Sequence, residues 1–150
     1  MRVSDILRTK GNTLHTLSPE QTVWAAVQTM AVHDIGSVVV VNHGQLVGIL
    51  TLREVVNALH THGGHIGNGI IRGIMKRGPQ TVSPSTDVNE VRHLTLESHV
   101  PYLPVLDGQT LAGVISFYDV AKAVLEEQSL KNQMLKAYIR DWPAHETVNG

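Results

Sequence analysis

The chain repeats itself at a fixed offset of 65 residues, and this repeat constrains its fold more than any other feature. Thr-Leu-Ser-Pro at residues 16–19 returns as Thr-Val-Ser-Pro at residues 81–84. Gly-Ile-Leu-Thr-Leu-Arg-Glu-Val at residues 48–55 returns as Gly-Val-Ile-Ser-Phe-Tyr-Asp-Val at residues 113–120. Two copies of one supersecondary unit in a chain of 150 residues must bury their apolar faces against each other. Their shared interface then holds two related clefts, where ligands tend to bind.

Composition narrows the class of protein further. With 42% hydrophobic and 17% charged residues, the chain is typical of a soluble globular domain. The net charge of −1 provides no long-range attraction to nucleic acid or anionic lipid, so we expect neither partner. The absence of cysteine excludes disulfides and thiolate chemistry. No apolar run has the length of a signal peptide core or a membrane span, so we expect a cytoplasmic protein.

Each copy carries the pattern β-α-β-β-α, which predicts an α/β fold with a small sheet per unit and helices on one side. In the first copy we predict strands at 14–17, 37–41 and 46–50 and a helix from Thr51. Ser-Pro-Glu at residues 18–20 predicts the start of another helix, with an apolar stripe at Val23, Ala26, Val27 and Met30. The second copy repeats this order over residues 81–125. We divide the chain into repeat 1 (1–60), a Gly/His-rich linker (61–69), repeat 2 (70–128), a C-terminal helix extension (129–141) and a tail (142–150).

The helix extension carries an apolar seam beyond the repeat, formed by Leu130, Met134, Leu135, Tyr138 and Ile139. A helix that folds back on its own domain would explain this seam. A contact between two copies explains it better, because the repeat itself does not need the additional cover. We therefore expect a homodimer.

At the start of the last helix of each unit, a hydroxyl residue is followed three positions later by an acid. These pairs are Thr51 and Glu54 in the first unit, and Ser116 and Asp119 in the second. Such a pair is typical of a capping box, which satisfies free backbone N–H groups at a helix start. The same arrangement also suits a nucleotide, because helix N-termini bind phosphate and a carboxylate can accept ribose hydroxyls. Repetition of the motif at one place in both units favours the second interpretation without excluding the first.

These motifs, in this order and twice over, resemble those of a pair of CBS domains (the cystathionine-β-synthase type of regulatory repeat, paired as a Bateman module). The resemblance covers about residues 2–125, and the C-terminal helix is similar to that of stand-alone bacterial CBS-pair proteins. It implies a tandem pair of β-α-β-β-α repeats that form one disc-like module. It also implies that AMP, ADP, ATP, NAD(H) or S-adenosylmethionine binds in the clefts between the repeats.

The resemblance implies two sets of nucleotide-binding residues. One cleft would use Asp119, Ser116, Tyr118, Val114 and Pro101, with Thr16, Ile35 and Gly36 from the first repeat. The other would use Thr51, Arg53, Glu54 and Ile49, with Thr81, Val100 and Pro101 from the second. We expect the Asp119 cleft to be the firmer site, because Glu54 replaces the more usual Asp. Related proteins also often carry Arg and His where this chain has Val-Pro-Tyr at residues 100–102.

One further cluster deserves a chemical interpretation: His60, His62 and His65 in the linker. Without cysteine or an acid nearby, and flanked by glycines, these histidines are better explained as solvated than as a metal site. Ser116 is better explained as a helix cap than as a nucleophile, because no Ser-His-Asp order or nucleophile elbow is present.

We therefore predict a non-enzymatic regulatory module for energy sensing. It would bind an adenine nucleotide, with AMP or NAD preferred, and signal to a separate protein effector. Two alternatives remain. The first alternative is a structural or protein-interaction dimer module with empty clefts. The second, less favoured, is a metal-dependent enzyme that uses the histidine-rich loop.

Overall fold

The computed structural model describes residues 1–11 and 13–141 and has a mixed α/β architecture, as the repeat predicts. Its helices are α1 (Val3–Lys10), α2 (Val23–His33), α3 (Leu52–Thr61), α4 (Val88–Ser98) and α5 (Phe117–Asp141), with a 3-10 turn at Ile71–Gly73. Its strands are β1 (Thr16–Leu17), β2 (Ser37–Asn42), β3 (Gln45–Thr51), β4 (Lys76–Arg77), β5 (Tyr102–Asp107) and β6 (Thr110–Ser116).

Two sheets carry the two repeats. The first has the strand order β1-β2-β3-β4, with β1 parallel to β2 and the other pairs antiparallel. The second is the antiparallel hairpin β5-β6, to which Val82 adds a parallel bridge at Val105. Even the irregularity is repeated, since the register shifts at Val40/Val41 in one hairpin and at Val105/Leu106 in the other. These paired features show that the 65-residue offset is structural.

The helix ends obey the same offset. Thr22 caps α2 by accepting a hydrogen bond from the N–H of Ala25, and Asp87 caps α4 by accepting one from Asn89. Both helices stop at a residue in the left-handed conformation, Asp34 with φ of 52° and His99 with φ of 54°. Because this conformation breaks the helical hydrogen bonding, it turns the chain sharply into β2 and β5.

The short segments that begin each repeat exchange places. α1 begins the first repeat in sequence, yet Val3 and Ile6 are buried in the hydrophobic core of the second. The backbone confirms this docking, because Val3 N–H donates to the carbonyl of Thr86 at 2.9 Å. The 3-10 turn at the start of the second repeat places Ile71 in the core of the first, where the N–H of Ile71 donates to the carbonyl oxygen of Gln21 at 2.9 Å. Each core is therefore completed by a segment from the other repeat.

The glycine that begins each repeated motif makes this exchange possible. A Cβ on Gly48 would meet Met75 Sδ at 2.8 Å and the Lys76 carbonyl oxygen at 2.9 Å. A Cβ on Gly113 would meet Leu7 Cδ2 at 2.8 Å. In both repeats the absent side chain makes room for a lead-in segment.

The last helix leaves the repeat part-way along its length. α5 buries Val120 and Ala123 against the second core, whereas Leu125 is already 65% exposed. Across the described ranges 1–11 and 13–141, no helix combines the length and apolar character that crossing a bilayer requires. The predicted tail, 142–150, lies outside the described residues.

Candidate functional site

The larger cleft between the repeats has a volume of about 400 Å³. One wall comes from the first repeat, where the chain leaves α2 and enters β2 at Ile35 and Gly36. The facing wall comes from the second repeat, at the junction of β6 and α5, with Ser116 and Tyr118. The remaining lining residues are Lys10, Thr13, Leu14, His15, Asp34, Ser37, Val39, Pro101, Tyr102, Val114 and Phe117. Both repeats and the end of α1 therefore contribute to one cavity.

A reciprocal cap forms the polar edge of this cleft. The N–H of Ser116 donates to Asp119 Oδ2 at 2.9 Å, and the N–H of Asp119 donates to Ser116 Oγ at 3.0 Å. The capping box is therefore present. The same Oδ2 also accepts a hydrogen bond from Lys10 Nζ at 2.7 Å, and the Asp119 side chain is 16% exposed. A partly buried carboxylate thus stands at a helix N-terminus beside the cleft, held by an ammonium group.

Asp119 also faces a second hollow. A groove of about 550 Å³ runs between α1 and α5, with Lys10 and Tyr118 shared between its lining and that of the cleft. Its other lining residues are Met1, Asp5, Ile6, Arg8, Thr9, Asp119, Lys122, Ala123 and Glu126. The groove and the cleft therefore adjoin at Lys10 and Tyr118.

The pseudo-equivalent cleft at Glu54 has a volume of only about 50 Å³. Tyr102 and Pro101 line it at the positions that Ser37 and Gly36 occupy in the larger cleft. Both residues also line the larger cleft, where the Tyr102 hydroxyl lies against Gly36. The remaining lining residues are Ile49, Thr51, Arg53, Glu54, Lys76, Ser98, His99 and Val100. The two clefts share a frame but differ about eightfold in volume.

The Glu54 carboxylate is held more tightly by its own helix. Its Oε1 accepts hydrogen bonds from both the N–H and the hydroxyl of Thr51, each at 2.9 Å. The predicted capping box is therefore confirmed here as well. In both acids, every hydrogen bond from a described residue goes to a single oxygen, Oε1 of Glu54 and Oδ2 of Asp119. The second oxygen of each carboxylate can still accept hydrogen bonds from a ligand.

Most of the residues predicted for the two sites meet as expected. Those that line the larger cleft are Ile35, Gly36, Pro101, Val114, Ser116 and Tyr118. Asp119 is not among its lining residues and lines the adjoining groove between α1 and α5 instead. Those that line the smaller cleft are Ile49, Thr51, Arg53, Glu54, Val100 and Pro101. The structure does not test whether any of them binds a nucleotide.

Two further predicted residues, Thr16 and Thr81, are not among the lining residues of either cleft. Successive residues of a strand point to opposite faces, so His15 lines the cleft while its neighbour Thr16 does not. Thr81 lines a separate shallow hollow with Val82, Ser83 and Thr86. The Thr-x-Ser-Pro motif marks the entry to the helix in each repeat rather than a wall of the cleft.

Sequence reasoning missed Lys10, His15 and Tyr102 as lining residues. Lys10 comes from the exchanged helix α1, and nothing in the repeat pattern predicts that exchange. Comparison of the two copies offers one signal, because Met75 stands where a second lysine would be expected at the offset of 65. His15 stacks on His33, the last residue of α2, with ring centroids 3.9 Å apart.

The histidine-rich segment gives little structural support to a metal centre. His62 Nδ1 lies 2.8 Å from the carbonyl oxygen of Ala58, at the end of α3. Within 1–11 and 13–141, no three side chains of the metal-binding types come together. The structure therefore adds nothing in favour of this alternative.

Comparison with known proteins agrees with the fold. The family profile of the CBS domain matches residues 3–61 and 71–126, one match for each copy of the repeat. The chain belongs to the CBS domain family. This assignment confirms the resemblance that the repeated motifs carry.

Solved CBS-pair structures cover most of this chain. A putative signal-transduction protein with CBS domains from Burkholderia ambifaria is 30% identical, with a TM-score of 0.79 over 85% of this chain and 96% of that one. The CBS domain pair of MJ0100, in complex with methylthioadenosine and S-adenosyl-L-methionine, is 23% identical, with a TM-score of 0.75 over 85% and 98%. CBSX2 from Arabidopsis thaliana, in complex with AMP, is 23% identical, with a TM-score of 0.70 over 85% and 98%.

Proposed function

We propose that this protein is a non-enzymatic regulatory module that binds an adenosine-containing nucleotide in the Asp119 cleft. The main support for the proposal is the size and composition of that cleft. It is formed by both repeats, has a volume of about 400 Å³, and has a capped helix N-terminus with a carboxylate at its edge. Ligand cavities typically occupy roughly 300–1,000 Å³, which this cleft meets and the Glu54 cleft does not.

The chemistry of the cleft suits a nucleoside. The open oxygen of Asp119 can accept hydrogen bonds from a ribose diol, as acidic residues do in other nucleotide-binding folds. Ile35, Pro101 and Val114 offer apolar surface to a base. Related CBS pairs support this class of ligand, since MJ0100 was solved with methylthioadenosine and S-adenosyl-L-methionine, and CBSX2 with AMP. Of the adenosine compounds, we propose AMP and NAD first.

Regulation would follow from the position of the ligand. A molecule in this cleft contacts both repeats, so it favours whichever relative arrangement of the repeats it binds more tightly. That preference cannot exceed the difference in its affinity for the two arrangements. We propose that a separate protein detects the change.

Thermal unfolding across a panel of ligands tests this proposal. AMP, ADP, ATP, NAD+, NADH and S-adenosylmethionine are each added to the protein, and the melting temperature is recorded. A ligand at 100 times its dissociation constant adds about 2.7 kcal/mol to the free energy of unfolding, which is readily detected. Asp119→Asn is the matched control and is expected to remove the increase. If none of the panel raises the melting temperature of the unmodified protein, the proposal fails.

We also propose that the protein is a homodimer that uses the C-terminal part of α5. Five large apolar side chains there are between 48% and 63% exposed: Leu130, Met134, Leu135, Tyr138 and Ile139. They lie beyond the part of the helix that covers the second core. The same surface keeps open the second candidate function, a protein-interaction module.

Sedimentation or light scattering of Met134→Lys tests the dimer. The charged side chain is expected to convert the protein to monomers, whereas Gln133→Lys on the same helix leaves the dimer intact. A monomeric unmodified protein would contradict the dimer and favour a different partner on this surface.

A further inference from the structure

The side chain of Lys10 lines the larger cleft and contacts the carboxylate of Asp119. Its Nζ donates to Asp119 Oδ2 at 2.7 Å and to the Val114 carbonyl oxygen at 2.8 Å. An ammonium group has three donors. Two of them are occupied, so one N–H remains for a ligand. The side chain is 40% exposed and lines the cleft, so a ligand can reach it.

This arrangement offers two adjoining contacts of different character. Asp119 keeps one oxygen that accepts no hydrogen bond from the described residues, and Lys10 keeps one donor. A nucleoside phosphate carries both matching groups, a diol that donates and a phosphate that accepts. The neutralised carboxylate also repels a phosphate less than a free one would, because the ammonium cancels its charge.

The charge of the cleft depends on this one residue. Lys10 is the only lysine or arginine among the described residues that line it. The acids nearby are Asp34, which lines the opposite wall, and Asp119 at the edge. Without Lys10 the cleft would have two carboxylates and no permanent cation. That field would favour a cationic ligand over an anionic one.

The other cleft shows that the repeat does not require this lysine. Met75 stands 65 residues after Lys10 and is buried in the first core. The basic residues of the smaller cleft, Arg53 and Lys76, line a volume of only about 50 Å³. The charged contact in a cleft large enough for a nucleotide therefore comes from a single difference between the copies.

We infer that Lys10 determines the charge class of the ligand, so that the Asp119 cleft takes anionic nucleoside phosphates in preference to neutral or cationic adenosine compounds. This inference rests on the proposed function. Lys10 donates its third N–H to the phosphate, while the oxygen of Asp119 that Lys10 does not contact accepts hydrogen bonds from the diol. Lysine acts here as a point charge, which suits phosphates of different length.

Titration calorimetry with AMP, adenosine and S-adenosylmethionine tests the inference. In the unmodified protein, AMP is expected to bind at least about tenfold more tightly than adenosine, as a charge-assisted contact allows. Lys10→Met, which copies the residue at position 75, is expected to weaken AMP about tenfold and change adenosine less than about twofold. The same variant should bind S-adenosylmethionine more tightly than the unmodified protein does.

Two variants serve as controls. Lys122→Met removes an equal charge from the neighbouring groove and should leave all three affinities unchanged. Lys10→Arg keeps the charge and should retain most of the preference for AMP. If Lys10→Met fails to fold, the unmodified protein still provides a test. Its affinity for AMP should fall as salt rises, while its affinity for adenosine stays constant.

The outcomes separate the inference from the proposed function. If AMP binds, Asp119→Asn weakens it, and Lys10→Met weakens AMP and adenosine equally or neither, only the charge assignment of Lys10 is overturned. Equal affinity of the unmodified protein for AMP and adenosine overturns it as well. If no adenosine compound binds the unmodified protein, the proposed function fails, and this inference fails with it.

Discussion

The two clefts between the repeats have one architecture and two different interiors. Each has a strand, a turn into a helix, and a carboxylate that caps that helix through a hydroxyl residue three positions earlier. Yet one cavity measures about 400 Å³ and the other about 50 Å³. Pro101 and Tyr102 stand at the positions equivalent to Gly36 and Ser37, and they line both cavities. A duplicated fold can keep its frame while only one copy keeps room for a ligand.

The lead-in segments differ in the same way. Ile6 and Ile71 stand at the offset of 65, and each completes the core of the opposite repeat. The first segment, however, is a helix of 8 residues that also delivers Lys10 to the larger cleft. The second is a single 3-10 turn followed by a short strand. The asymmetry of the site therefore originates partly in segments that the repeated motif does not include.

The largest effect should come from truncating the exchanged isoleucines. Ile6→Ala and Ile71→Ala are each expected to lower the free energy of unfolding by about 2–4 kcal/mol, because both side chains are buried. Hydrogen exchange should quicken in β5 and β6 for Ile6→Ala, and in β2 and β3 for Ile71→Ala. Thr9→Ala, exposed on the same helix, should change stability by less than about 0.5 kcal/mol. Faster exchange confined to the sequence-adjacent repeat would contradict the exchange.

The second-largest effect should be a difference in AMP affinity between variants of the two carboxylates. Asp119→Asn is expected to weaken AMP by about 100-fold, because hydrogen bonds to a charged acceptor contribute about 1.5–3 kcal/mol. Glu54→Gln should change the affinity less than about twofold, since its cleft is too small for the ligand. Titration calorimetry measures both. The reverse pattern would place the nucleotide at Glu54 and break the proposed ranking of the clefts.

The motif glycines give a smaller contrast. Gly48→Ala is expected to cost about 1–3 kcal/mol, because the new Cβ would lie 2.9 Å from the Lys76 backbone oxygen, which cannot move freely. Gly113→Ala should cost less, because its close contact at 2.8 Å is the end of the Leu7 side chain. Urea unfolding of both variants compares them. An equal or larger loss for Gly113→Ala would show that α1 packs more rigidly than this geometry indicates.

The smallest effect concerns the start of α1. A hydrogen bond from the N–H of Arg2, opposed by desolvation and assisted by the Arg8 charge, lowers the pKa of Asp5 below its usual range. A lowered pKa stabilises the fold above the ordinary carboxyl pKa, and this contribution is lost as pH falls through the lowered value. Asp5→Asn should therefore melt slightly below the unmodified protein at neutral pH.

Acid removes that difference. As the pH falls through the lowered pKa of Asp5, the melting temperatures of the two proteins should converge if Asp5 accounts for the effect. The equivalent position of the other lead-in segment is Ile70, which has no carboxylate to titrate. Asp107→Asn, which changes the same charge at the end of β5, provides the control. A melting difference that persists in acid would assign the effect to packing instead.

Much of the fold could be predicted because it depends on local patterns. The apolar stripe of α2, the β-branched residues of β2 and the turn at His43 and Gly44 each indicate their structure within a few residues. The capping boxes at Thr51 and Ser116 could be predicted for the same reason. The exchange of lead-in segments could not be predicted, because Ile6 and Ile71 lie in short segments that pack into the core of the opposite repeat, and no local pattern records that contact.

The sequence by itself determined the fold family, the order of its elements and the two carboxylates that stand at equivalent positions of the two repeats. A repeat read at a constant offset contains that information, because equivalent residues must take equivalent places. Only the tertiary structure decided which cleft has volume and that Lys10 reaches Asp119 from the other repeat. Cavities and ion pairs depend on residues that are distant in sequence, and no local pattern records how those residues meet.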